Sequence, residues 1–216
     1  AIYDRDKDKI HVVERVNGNR SFQTFQATHI FYYDDPHGKF RTIYDTPVAR
    51  FSSNNNKEYY RELKIQSKKQ LWESDINPIF RCLSEFYLNK DAPKVHAAFF
   101  DIEADFNSEL GGYAKPSDPF NMITSITIYL QWIEQLITFA VPPKGTTMDV
   151  ANDIASNFDN TIMFETEEEM IKAFLDIIDD VDILSGWNSE GYDIPYLVNR
   201  VARVLSTDDT RRFCLW

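Results

Sequence analysis

The chain has 216 residues, 43% of them hydrophobic and 14% aromatic, with a net charge of −11, which is enough apolar content for one large or two modest packed domains. Cys82 and Cys214 are its only thiols, and no apolar run reaches membrane length. A disulfide scaffold and a helical membrane span are excluded, and a reduced, soluble, intracellular protein is the expectation.

The charge is unevenly spread. Residues 1–90 carry 15 basic and 12 acidic side chains, whereas 91–216 carry 8 and 22. This asymmetry predicts two domains, 1–93 and 94–216, meeting near Asn89-Lys90-Asp91-Ala92-Pro93. So acidic a second half has little expected affinity for duplex DNA by itself, although divalent cations rather than lysines can meet phosphates.

From the N-terminus, Lys9–Val16 alternates as a strand, Asn17-Gly18 signals a hairpin, and Ser21–Phe25 begins the returning strand. Thr28–Tyr33 is a further β-rich run, with Phe40–Tyr44 expected to pair with it. The basic stretch Lys57–Lys69, with Tyr59 and Tyr60, reads as a solvated face, with contact to a nucleic-acid backbone as the alternative. His11, His29, His37 and His96 show no metal-ligand spacing.

In the second half, Val95–Glu103 reads as a strand, and Ile123–Leu130 and Leu136–Val141 as a hairpin around Gln131–Gln135. Thr161–Phe164 is a short β segment. Thr166-Glu167-Glu168-Glu169 forms a capping box ahead of an amphipathic helix, so that acidic run is assigned to helix-dipole stabilisation. A strand to Trp187 and a helix carrying Ile194, Leu197, Val198, Val201 and Val204 complete an α/β pattern.

Two segments carry chemistry. In Phe100-Asp101-Ile102-Glu103 the period of two puts Asp101 and Glu103 on one face and Ile102 toward the core. Adjacent carboxylates repel, and protonation or a bound cation relieves them; a solvent-facing strand edge accounts for the same letters. The second segment is Gly186-Trp187-Asn188-Ser189-Glu190-Gly191-Tyr192-Asp193-Ile194-Pro195-Tyr196. Asp193 suits a helix N-cap with Pro195 in the first turn, and equally suits a metal ligand aimed outward at a helix start.

Together these segments resemble the first and second exonuclease motifs of family B DNA polymerases, in wording closest to the replicative polymerases of T4-like bacteriophages. Pro119-Phe120-Asn121-Met122-Ile123-Thr124 is similar to the family's entry into its second strand. The stretch from Gln26-Ala27-Thr28-His29 to Tyr44-Asp45-Thr46-Pro47 is similar to its N-terminal domain. The resemblance implies an α+β N-terminal domain followed by a partial ribonuclease-H-like exonuclease domain. It also implies a two-metal 3′→5′ proofreading site using Mg²⁺ or Mn²⁺. Asp101 would bridge both ions, Glu103 would hold the ion that activates the attacking water, and Asp193 the ion beside the leaving 3′-oxygen. Carboxylates suit such ions because Mg²⁺ prefers hard oxygen ligands. Asn188 and Tyr192 would position the terminal nucleotide or simply order the strand–helix turn. Tyr113, in the Glu109–Tyr113 loop, is a candidate to stack on a base.

The implied substrates are a single-stranded DNA 3′ end and primer-template DNA, with a sliding clamp contacted through other regions and no membrane. The location would be cytoplasmic, that of the host cell if phage-encoded. The family's third motif, Tyr-x3-Asp, does not follow Asp193; Tyr87-x3-Asp91 has the letters but precedes the first motif. The polymerase palm signatures are absent as well. The expectation is therefore an N-terminal polymerase fragment carrying part of an exonuclease site and hydrolysing DNA poorly or not at all. The alternatives are a non-catalytic module binding nucleic acid or a partner on a degenerate ribonuclease-H-like fold, and a self-standing exonuclease whose last carboxylate is Asp208 or Asp209.

Overall fold

The computed structural model describes Ala1–Leu215 and divides into two compact units, Ala1–Lys94 and Val95–Trp216. The first unit begins with β1 (Ile2–Asp4), β2 (Lys9–Val16) and β3 (Asn19–Gln26), an antiparallel sheet in that order. Asn17 and Gly18 both take positive φ, at 51° and 80°, as a tight hairpin turn with the strands' own twist requires. Ile10 and Val12 alternate inward on β2 and pack with Ala27 and Cys82 in a small core.

A second sheet joins β4 (His29–Asp34), β5 (Phe40–Arg41), β6 (Pro47–Ser53) and β7 (Leu71–Trp72) in the order β5-β6-β4-β7. The expected pairing of Phe40–Tyr44 with the Thr28–Tyr33 run is corrected here. Strand β6 lies between them and pairs with both, through Phe31↔Phe51 on one side and Phe40↔Val48 on the other. The basic stretch folds as helix α1 (Asn56–Ile65), started by Asn55, whose side chain accepts the Glu58 N–H. Helix α2 (Pro78–Tyr87) begins the same way, with Asn77 as N-cap and proline in the first turn.

The second unit is a five-stranded mixed sheet flanked by helices. It contains β8 (Ala97–Ala104), β9 (Ile123–Leu130), β10 (Gln135–Ala140), α3 (Met148–Ala155), β11 (Thr161–Met163), α4 (Glu167–Ile178), β12 (Ile183–Ser185) and α5 (Asp193–Val204). The strand order is β11-β10-β9-β8-β12. The central three strands are antiparallel, while β11 runs parallel to β10 and β12 parallel to β8. Ala98, Phe100 and Ile102 from β8 meet Ile126 and Ile128 from β9, Met170, Phe174 and Leu175 from α4, and Tyr196 and Leu197 from α5 in one core. The α/β class expected from the sequence is what the chain adopts.

The capping box at Thr166 and Glu169 forms as expected. Glu167 does more than favour the helix dipole: its carboxylate accepts two bonds from the Arg200 guanidinium, at 2.8 and 2.6 Å, and the Ile123 N–H at 2.7 Å. This buried ion pair fastens the start of α4 to α5 and to the entry of β9. Among the described residues no helix is long and apolar enough to cross a membrane.

Candidate active site

Strand β8 ends in its two carboxylates as the period of two requires. Phe99, Asp101 and Glu103 are exposed on one face, and Phe100 and Ile102, 4% and 7% exposed, enter the core on the other. Across β9, Asp101 faces Thr127 and Glu103 faces Ser125. On the opposite edge, β12 pairs only as far as Ser185↔Phe99, so the pairing stops two residues short of Asp101. Both parallel strands deliver their following residues to the same end of the sheet, where α/β architectures gather ligands.

The exit of β12 is set by Gly186. A Cβ there would sit 2.3 Å from the Phe100 carbonyl oxygen, so a side chain would force the two backbones apart. The chain then turns through Asn188, at φ +52°, whose carbonyl accepts the Gly191 and Tyr192 N–H groups at 2.9 and 3.1 Å. Ser189 is buried, and its carbonyl accepts the Ile194 N–H at 2.9 Å. Tyr192 is the N-cap of α5, without a side-chain capping bond, and Asp193 is the first helical residue. The N-cap position that Asp193 suits in the sequence is therefore taken by Tyr192, which corrects that part of the reading.

That side chain is 5% exposed. Burial pushes the Asp193 carboxyl above the ordinary carboxylate range, and the charge of Asp101 pushes it further; hydrogen bonds from its own N–H and that of Ile102 pull the other way. Burial also raises the Tyr192 hydroxyl, helped by the charges of Asp193 and Glu103 and by Tyr113. The charge of Asp101 thus acts on Asp193, and those of Asp193 and Glu103 act on Tyr192. Among the described residues no three His, Cys, Asp or Glu side chains gather into a group able to hold a metal ion. The candidate ligands Asp101, Glu103 and Asp193 are nevertheless all hard oxygen donors, the type that a cation such as Mg²⁺ prefers.

Asn188 is exposed, and its main chain organises the turn. Tyr113 is 72% exposed and packs edge-on against Phe106, with ring centroids 5.0 Å apart. Asp208 and Asp209 lie at the C-terminal 3₁₀ turn, where Asp208 lies 3.4 Å from Arg211 and Asp209 accepts the Ser206 hydroxyl at 2.5 Å. The sequence reading missed an open depression of about 440 Å³ beside Asp101, lined by Phe99, Thr127, Ser185, Gly186 and Trp187. Phe99 was legible there from its shared parity with Asp101. The reading placed Asn121 in the Pro119–Thr124 segment without giving it a role, and the structure buries it.

The model of the family described as "DNA polymerase family B, exonuclease domain" matches residues 43–214. The DNA-directed DNA polymerase of Escherichia phage RB69 is 26% identical over 199 residues, covering 81% of this chain and 22% of that protein. The DNA-directed DNA polymerase of Enterobacteria phage T4 is 35% identical over 52 residues, covering 23% of this chain and 6% of that protein. The chain thus spans about a fifth of the length of the RB69 relative.

Proposed function

The chain belongs to the family B DNA polymerase exonuclease-domain family, and on that premise we propose that it carries part of the two-metal 3′→5′ proofreading site of a DNA-directed DNA polymerase. The observation that carries this reading is the burial of the Asp193 carboxyl at the start of α5, where the charge of Asp101 also acts on it. A fold gains nothing in stability by desolvating one carboxylate beside another, so the arrangement makes sense as a cation site.

Asp101 and Asp193 would share the cations, Mg²⁺ or Mn²⁺, with Glu103 contributing from the same strand face. Two bound ions supply charge stabilisation for the attacking and leaving oxygens of the phosphodiester. The chain's own residues do the positioning. Asp193 is placed by the start of α5, and Tyr192 and Asn188 border the place of the terminal nucleotide. Tyr113 offers a ring for its base. A further ligand would come from another part of the polymerase, and Asp101, Glu103 and Asp193 do not by themselves gather as a three-ligand group among the described residues; the isolated chain would hydrolyse DNA weakly or not at all. The substrate is a single-stranded DNA 3′ end. Contact with a sliding clamp, primer-template DNA elsewhere in the polymerase and a place in the host cytoplasm follow from the same family reading.

Calorimetric titration with Mn²⁺ tests the proposal. The chain is expected to bind the ion, and Asp101→Asn and Asp193→Asn are each expected to weaken binding at least about tenfold, the scale of losing a charged ligand. Binding indifferent to both substitutions would overturn it. The same absence of a three-ligand group favours a second reading, a non-catalytic binding module, which predicts single-strand binding without any cation dependence.

A further inference from the structure

The segment between β8 and β9 is braced rather than loose. At its neck Asn107 and Gly112 exchange main-chain bonds, Gly112 N–H to Asn107 O at 2.7 Å and Asn107 N–H to Gly112 O at 3.2 Å. The Asn107 side chain accepts the Glu109 and Leu110 N–H groups, closing a short 3₁₀ turn. Phe106 enters the neck and Tyr113 leaves it, 54% and 72% exposed and in edge contact with one another. Exposed aromatic rings of this kind are what a nucleobase would stack upon.

The neck is itself anchored from below. Asn121, 4% exposed, donates from its side-chain amide to the Gly112 carbonyl at 2.8 Å. The Asn121 carbonyl in turn accepts the hydroxyl of Tyr196 at 2.8 Å. Tyr196 is fully buried, and burial raises its hydroxyl to about 12. It sits on α5, three residues beyond Asp193, and its ring stacks on Tyr192 at 5.5 Å. One continuous path therefore runs from the helix bearing Asp193, through Tyr196 and Asn121, to the loop bearing Phe106 and Tyr113.

We propose that Asn121 is a positioning residue for the terminal nucleotide: through Gly112 it holds the Phe106–Tyr113 pair at a fixed place relative to Asp101 and Asp193. This rests on the exonuclease reading and adds to it the device that sets where the last base lies. Asn121 touches neither base nor cation. Its amide fixes the loop, and the loop presents the rings. A backbone-to-backbone neck alone would hinge at Gly112, whose φ of +95° belongs to the region glycine visits freely.

The test uses the chain with an oligothymidylate carrying 2-aminopurine as its 3′-terminal base, whose fluorescence falls on stacking. Wild type is expected to quench it. Asn121→Ala and Tyr113→Ala are each expected to weaken binding on the order of tenfold, the range of one aromatic–base stack. The double variant should be no weaker than either single, because both remove the same positioned ring. Tyr196→Phe, which keeps the ring and removes the bond to Asn121, should shift binding in the same direction by less. Amide exchange at residues 107–113 should speed up in Asn121→Ala while the strands of the sheet stay protected. If Asn121→Ala binds and quenches as wild type does while Tyr113→Ala fails, or if the two losses simply add, the positioning role is overturned. If wild type does not quench at all, the exonuclease reading falls and takes this inference with it.

Discussion

Two aspartates, one in each unit, receive opposite treatment. Asp8 in the first unit meets His29 Nε2 at 2.8 Å and accepts the Tyr3 hydroxyl at 2.7 Å and the Asn56 N–H at 2.7 Å. Burial alone would raise its carboxyl, but these hydrogen bonds outweigh it and hold the group below the usual range. Asp193 in the second unit is buried too, and there burial prevails, with the charge of Asp101 adding to it, so its carboxyl is pushed up instead. A carboxylate surrounded by donors holds a fold together. A carboxylate buried against its own kind stores unfavourable energy, which a ligand of opposite charge releases.

The sharpest way to break the first kind of site lies in Glu167 and Arg200, whose side chains are 9% and 11% exposed. Arg200→Ala leaves Glu167 buried without its partner and strips the donors from the Pro119 and Phe120 carbonyls. A loss of about 3–5 kcal/mol is expected, the cost of breaking a buried pair from one side, read from the urea midpoint. Asp8→Ala should cost somewhat less, about 3 kcal/mol, because that side chain is 15% exposed.

Acid should reveal the same contrast. The Asp8 carboxyl lies lower folded than unfolded, so its contribution is complete above the unfolded carboxylate value near ~3.9 and disappears as pH falls through the folded value. Asp193 has the opposite sign. Between its unfolded and its raised folded value, the folded chain keeps a proton the unfolded chain has released, so stability falls as pH rises through that window. Asp193→Asn removes the effect, and a gain of about 1 kcal/mol is expected at neutral pH without added cation, the usual yield of neutralising a strained functional group. If urea midpoints collected from acid to neutral pH show Asp193→Asn less stable than wild type throughout, the stored-energy account of this site is wrong.

Much of the carboxylate strand was legible in the sequence, because a period of two leaves Asp101, Ile102 and Glu103 no other arrangement once the strand is buried on one side. The proximity of Asp193 was not legible from periodicity. It depends on Gly186 touching the Phe100 carbonyl across a separation in sequence that no local pattern encodes, and only the family resemblance supplied it. Helix α2 had its signals in Asn77 and Pro78, which the sequence reading did not use. Helix α3 had weaker ones: Val150 and Ile154 are half exposed or more, so its apolar spacing does not mark a buried face. Asn121 stood in the segment that resembles the family's second-strand entry, but a single polar residue between apolar ones has no period to mark its role.

Gly186 makes the distance between the two carboxyls separable from their charge. An alanine at this position alters neither Asp101 nor Asp193, yet its methyl group would act as a wedge between β12 and β8. Asp193, on the helix that follows, would be carried away from Asp101, and mutual repulsion would relax without any change in net charge. Position 186 is thus a spacer whose thickness can be chosen, and graded side chains there would convert the electrostatics of the site into a measurable function of separation.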